Sequence, residues 1–165
     1  MNVYDFDKTI YDGDSTAHFY FYCLKKNPKI ALRLPYQGFH FLRFKLGIID
    51  KTTFKSKFFT FFKDLEDYEA FVKAFWDSHE SGIFQWYKDN QKPDDVIISA
   101  SPEFLLKDIC GRLGIINLLA SEVDPKTGKF ASPNCYGKEK VVRYEKVYGN
   151  AKIDEFYSDS ESDSP

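Results

Sequence analysis

Asp5 and Asp7 stand at alternating positions in Asn2-Val3-Tyr4-Asp5-Phe6-Asp7-Lys8-Thr9, at the end of a β-prone run. Alternate residues of a strand share a face, so the two carboxylates project together and repel each other. A hard cation between them relieves that repulsion, and a nearby cation lets one carboxylate attack an anionic phosphate. The plainer account is a solvated acidic turn after an edge strand.

Three segments further along bear on that choice. Val96-Ile97-Ile98-Ser99-Ala100-Ser101-Pro102 begins with three β-branched residues, the mark of a strand buried on both faces in a parallel sheet. Ser101 reads as a helix N-cap with Pro102 at the first helical position. Ser99 then ends the strand, its hydroxyl beside free helical N–H groups, where a phosphate oxygen binds well. In Gly137-Lys138-Glu139-Lys140 a lysine opens a helix, at the end of the macrodipole that prefers an anion. Either it faces a bound anion or both lysines are ordinary surface residues. Finally, a half-apolar strand from Ile153 leads to Asp159, with Asp163 four residues on in a serine-rich loop. Alone this is a solvated acidic tail; with Asp5 and Asp7 it is a third carboxylate at a strand's C-terminal end, where open α/β sheets bind ligands.

In this order the four segments resemble the haloacid dehalogenase (HAD) superfamily, and most of all its phosphoserine-phosphatase-like branch, in which a helical cap lies between the first two motifs. The resemblance runs from Asp5 to Asp163. It implies that Asp5 is the nucleophile and forms an aspartyl-phosphate, and that Asp7 is the general acid and base. It implies that Thr9, Ser99, Ala100 and Lys140 surround the phosphoryl oxygens. Lys140 is preferred to Lys138 because Tyr144 follows it by one turn, as a leucine follows the family's lysine. Mg2+ would be held by Asp5, the carbonyl of Asp7 and Asp159, with Asp163 supporting. Asp14 stands where phosphoserine-specific members carry a glutamate for the substrate amine. The chain stops at Pro165, just after the last motif, where family members continue through at least one more strand.

The intervening stretch reads as helices. Tyr68, Phe71, Val72, Phe75 and Trp76 form the apolar stripe of an amphipathic helix. Phe54, Phe58, Phe61 and Phe62 repeat it behind an Asp50 N-cap. Thirteen of the 17 Phe residues lie between Phe19 and Phe84, more aromatic surface than a small domain can bury. From Leu24 to Lys63 there are ten Lys or Arg and one acid, Asp50. That is either a solvated basic face or an attraction for an anionic substrate or anionic membrane surface.

The remainder alternates: a strand over Asp95–Ser99, a helix over Pro102–Leu113, a strand over Leu118–Ser121 and a turn over Asp124–Lys129. A helix over Lys140–Tyr148 and a strand over Ile153–Ser158 complete it. The expectation is an α/β fold, a doubly wound, Rossmann-like, mostly parallel sheet with a helical cap inserted after strand one. Residues 1–13 and 91–165 would form the core and residues 14–90 the cap.

A length of 165 residues suffices for such a core plus an insertion. Net charge of -2 selects no nucleic-acid partner. Cys23, Cys110 and Cys135 lack metal spacing, and an odd count suits reduced thiols in a cytoplasm. Met1 leads straight into the first strand, so no signal peptide is expected. The most apolar stretch, Ile30 to Ile49, carries Arg33, Pro35, Arg43 and Lys45, which argues against a transmembrane helix. The resulting expectation is a magnesium-dependent phosphomonoesterase acting on a small phosphorylated metabolite. A lipid-phosphate phosphatase at a membrane surface and a non-catalytic phosphate-binding scaffold are the alternatives.

Overall fold

The computed structural model describes residues 1–160; Asp163 lies outside them. Four parallel strands form one sheet: β1 (Asn2–Tyr4), β2 (Val96–Pro102), β3 (Asn117–Ser121) and β4 (Glu155–Tyr157), in the order β3-β2-β1-β4. The chain builds outward from β1 through β2 to β3, then crosses back to place β4 on the other side of β1. This reversal makes the C-terminal end of β1 the switch point where a doubly wound sheet opens a crevice.

Alternation along the strands explains the layers. Val3, Val96 and Ile98 face one side and pack with Tyr144 of helix α7 (Lys138–Tyr148). Tyr4 and Ile97 face the other side, in a core shared with Leu105, Leu106 and Ile109 of α6 (Glu103–Arg112). The insertion after β1 contributes α1 (Ser15–Lys26), α2 (Leu34–Lys45), α3 (Lys51–Phe58), α4 (Tyr68–His79) and α5 (Gln85–Asn90), joined partly by 3-10 turns. Val72, Phe75 and Trp76 are the buried stripe of α4, and Trp76 Nε1 donates to the Leu105 carbonyl at 2.7 Å. Asp50 caps α3, accepting from Thr53 N at 2.6 Å.

Two local expectations fail. The first strand stops at Tyr4, before either aspartate. Beyond it the carbonyl of Phe6 collects the N–H groups of Ile10 and Tyr11 at 3.0 and 3.1 Å, and Lys8 turns through φ 60, so the chain curls instead of extending. Ser101 is not a helix cap. It lies within β2, Pro102 occupies the N-cap position without a side-chain bond, and α6 begins at Glu103. The pairing of β2 with β3 shifts register between Ser99 and Pro102. The physical reason is a stronger acceptor elsewhere: the Ser101 hydroxyl is committed to a carboxylate.

Candidate active site

A cavity of about 360 Å³ sits at the C-terminal ends of β1, β2 and β4. Asp5, Asp7, Asp14, Ser99, Ala100, Ser101, Lys140 and Asp159 all line it. The wider cleft of about 840 Å³ beside α4 and α6 holds none of them.

Asp5 follows directly on β1, its N–H bonded to the Tyr157 carbonyl of β4 at 2.8 Å. It is buried, and its carboxylate is held in place. Oδ1 accepts from Phe6 N at 2.7 Å, and Oδ2 lies 3.0 Å from Lys140 Nζ, itself almost wholly buried. A buried carboxylate is tolerated when paired in this way. Lys140 reaches it because Gly137, at φ 56 and ψ -129, turns the chain into α7 through a conformation that only glycine adopts easily. Lys138 is exposed and does not line the cavity.

Between the aspartates, Phe6 points the other way, fully buried against Tyr11 and Trp76. Asp7 therefore returns to the cavity side. Its Oδ1 accepts from Ser15 N, the first residue of α1, at 2.7 Å, and its Oδ2 accepts from Ser101 Oγ at 2.5 Å. Burial pushes the Asp7 carboxyl above its ordinary value and the charge of Asp14 pushes the same way, while the bonds from Ser101 and Ser15 oppose the shift. A raised carboxyl pKa suits a group that must hold a proton at neutral pH.

Ser99 does not end its strand as the sequence suggested: it is buried midway along β2, which runs on to Pro102, and its Oγ accepts from Ser101 N at 3.1 Å. Thr9 does not line the cavity; its Oγ1 accepts from Asp159 N at 3.1 Å and ties the loop after β4 to the loop after β1. Asp14 lines the cavity but also caps α1, accepting from Ala17 N at 2.9 Å.

Sequence reasoning missed Lys55. This α3 residue lines the cavity, and its Nζ donates to the Ala100 carbonyl at 2.9 Å. Burial pulls its amine down to about 8, with Lys51 adding to the effect against the pull of Asp14, Asp7 and Asp5. Nothing in the sequence separates Lys55 from nine other basic residues nearby; only the packing of α3 over β2 does.

Asp5 and Asp159 bring two carboxylates, hard oxygen donors of the kind magnesium takes, to this cavity, while among the described residues no group of three or more His, Cys, Asp or Glu side chains is placed to hold a metal ion. An ion that keeps several waters and takes one or two carboxylates needs no such group.

The sequence profile of the haloacid dehalogenase-like hydrolases matches residues 3–165, nearly the whole chain and every segment that lines the cavity. The protein belongs to that family. No curated protein matches this haloacid dehalogenase-like hydrolase in sequence. A protein of unknown function from Bordetella pertussis Tohama I is similar in structure, with TM-score 0.78 and 17% identity over 100% of this chain and 84% of its own. A phosphoserine phosphohydrolase-like protein from Francisella tularensis subsp. tularensis SCHU S4 gives TM-score 0.51 and 17% identity, over 94% of this chain and 76% of its own. At such identities the likeness speaks for the fold of this hydrolase alone.

Proposed function

We propose that this hydrolase is a magnesium-dependent phosphomonoesterase that works through an aspartyl-phosphate on a small phosphorylated metabolite in the cytoplasm. The observation that carries the reading is the Asp5 carboxylate, buried and paired with Lys140, in one cavity with an Asp7 whose carboxyl is pushed up.

The roles follow from position. Asp5 attacks phosphorus and the bond to the leaving oxygen breaks. Asp7 delivers its proton to that oxygen as the charge develops. Water then attacks the aspartyl-phosphate, Asp7 takes its proton, and inorganic phosphate leaves with Asp5 restored. Lys140 and Lys55 supply positive charge, and Ser99 with the Ala100 peptide supplies donors for the phosphoryl oxygens. Magnesium, held by Asp5, the Asp7 carbonyl and Asp159, would neutralise charge that builds on the phosphoryl group. Residues 14–90 act as a cap over this site, with Asp14 on the substrate side of it.

Phosphatase assay of two variants tests the reading. Asp5→Asn should lose turnover of nitrophenyl phosphate while keeping its fold, because the amide fits the space but cannot attack. Retained turnover would overturn the assignment. Asp7→Asn should slow alkyl phosphates far more than nitrophenyl phosphate, whose leaving group needs little protonation.

A further inference from the structure

Helix α2 buries the wrong face for a helix bathed in water. Its two inward residues are polar: Gln37 accepts from Tyr20 Oη at 2.7 Å and donates to the Phe58 carbonyl at 3.0 Å, and His40 is buried beside it. At 3.6 residues per turn, Phe39, Leu42 and Leu46 fall within about 60° of one another on the opposite side. They are 59%, 57% and 65% exposed. The chain on either side continues the pattern, with Leu32 83% and Ile48 59% exposed. Among the described residues, nine of the fourteen exposed large apolar side chains lie between Phe21 and Ile48.

The charge around this face has one sign. From residue 15 to residue 49 there is no Asp or Glu. Arg43 and Lys45 flank the apolar stripe, their cationic heads 5.8 Å from the Phe39 ring and 5.4 Å from the Phe41 ring. Long basic side chains beside aromatic rings, at the edge of an apolar stripe, match a boundary between hydrocarbon and anionic headgroups.

We propose that this face docks the protein on an anionic lipid bilayer, with Phe39, Leu42 and Leu46 entering the interface and Arg43 and Lys45 meeting the headgroups. A second copy of the chain would bring like charges together around the same stripe. Phe39, Leu42 and Leu46 line none of the main cavities, so they offer no slot for an acidic peptide. No described helix is long and apolar enough to cross a membrane, which leaves adsorption as the mode of contact. The opposite side of α2 carries half-buried Phe44, which stacks on Phe54 of α3 at 5.2 Å, and Phe54 lines the catalytic cavity, so the helix that presents this face is packed against the site.

Co-sedimentation with vesicles tests the proposal without reference to catalysis. The full chain should bind vesicles of equal parts phosphatidylcholine and phosphatidylglycerol, and bind phosphatidylcholine alone at least about tenfold more weakly. Raising the salt should weaken binding to the anionic vesicles. The triple variant F39S/L42S/L46S and the double variant R43E/K45E should each lose binding at least about tenfold, since both terms are needed. Both alter exposed or flanking side chains outside the catalytic cavity, so helix content and turnover of soluble nitrophenyl phosphate should stay as in the parent chain. Absence of binding to anionic vesicles would overturn the proposal, and so would equal binding to neutral ones. A dimer that the triple variant dissolves, without vesicle binding, would assign the face to a second copy instead. Loss of turnover in Asp5→Asn with vesicle binding intact would separate this surface from the catalytic reading.

Discussion

Ser101 Oγ lies 2.5 Å from Asp7 Oδ2 and 3.0 Å from Thr16 Oγ1, so one hydroxyl joins the candidate acid to the first helix of the insertion. With Ser15 N on the other carboxylate oxygen, Asp7 is held between β2 and α1. Ser101→Ala removes one of the hydrogen bonds that orient the Asp7 carboxyl, worth about 0.5–1.5 kcal/mol when that carboxyl holds its proton. Through lost orientation, turnover of alkyl phosphates should fall about twofold to tenfold, at roughly 1.4 kcal/mol per factor of ten. Nitrophenyl phosphate should lose much less. Equal losses on both substrates would show that Ser101 holds the fold and not the acid.

Lys55 gives the pH dependence. Its amine titrates near 8 instead of 10.5 in the folded protein. The cation beside the Ala100 carbonyl is therefore present below about pH 8 and lost above it. In the free enzyme kcat/KM should decline as pH rises through that value, and Lys55→Met should abolish that limb. The linkage has the opposite direction for folding. Between about 8 and 10.4 the unfolded chain holds a proton that the folded chain does not, so this group makes stability rise with pH across that window. Urea titrations at several pH values should show that slope in the parent and not in Lys55→Met.

Asp5 and Asp159 were legible in the sequence because a parallel sheet brings strand C-termini to one edge whatever lies between them. The β-branched run Val96-Ile97-Ile98 made β2 legible for a similar reason, being buried on both faces. Lys55 was not, because its place depends on how α3 packs over β2, a contact 45 residues apart in the chain. The Ser101–Asp7 bond, 94 residues apart, was hidden in the same way, and local N-cap chemistry offered a competing account of the serine. The end of β1 at Tyr4 was hidden by Lys8, a residue whose type gives no warning of its positive φ. The aromatic excess of the insertion was legible as more than a small domain can bury, but the face of α2 left exposed was not, because the polar Gln37 and His40 take its buried positions.

Gly137 sets the direction of α7 and thereby the reach of Lys140 to Asp5. Gly137→Ala should cost about 1–3 kcal/mol, the strain of a non-glycine residue in such a conformation. For a chain of this size that is a fall of about 2–4 °C in Tm per kcal/mol. Activity should fall further than stability explains, because the lysine three residues on is displaced. A thermal melt and an assay at a temperature where both proteins are folded separate the two effects. Full activity in the variant would mean that α7 starts correctly without the glycine.

Asp159 stands just beyond β4, held by Thr9 Oγ1 on its N–H, and its carboxylate is the part of the proposed magnesium set farthest in sequence from Asp5 and Asp7. Chelation with EDTA should abolish turnover, and added Mg2+ should restore it. Asp159→Asn removes one of the charged donors but leaves Asp5 and the Asp7 carbonyl, so half-saturation should move to higher Mg2+ with turnover at saturation largely kept. Thr9→Val should shift the same titration less, because it loosens the loop without removing a donor. Isothermal titration with Mg2+ in the absence of substrate reads the affinity directly, independent of turnover. An unchanged affinity in Asp159→Asn would remove that residue from the site, and full activity in EDTA would remove the metal from the mechanism.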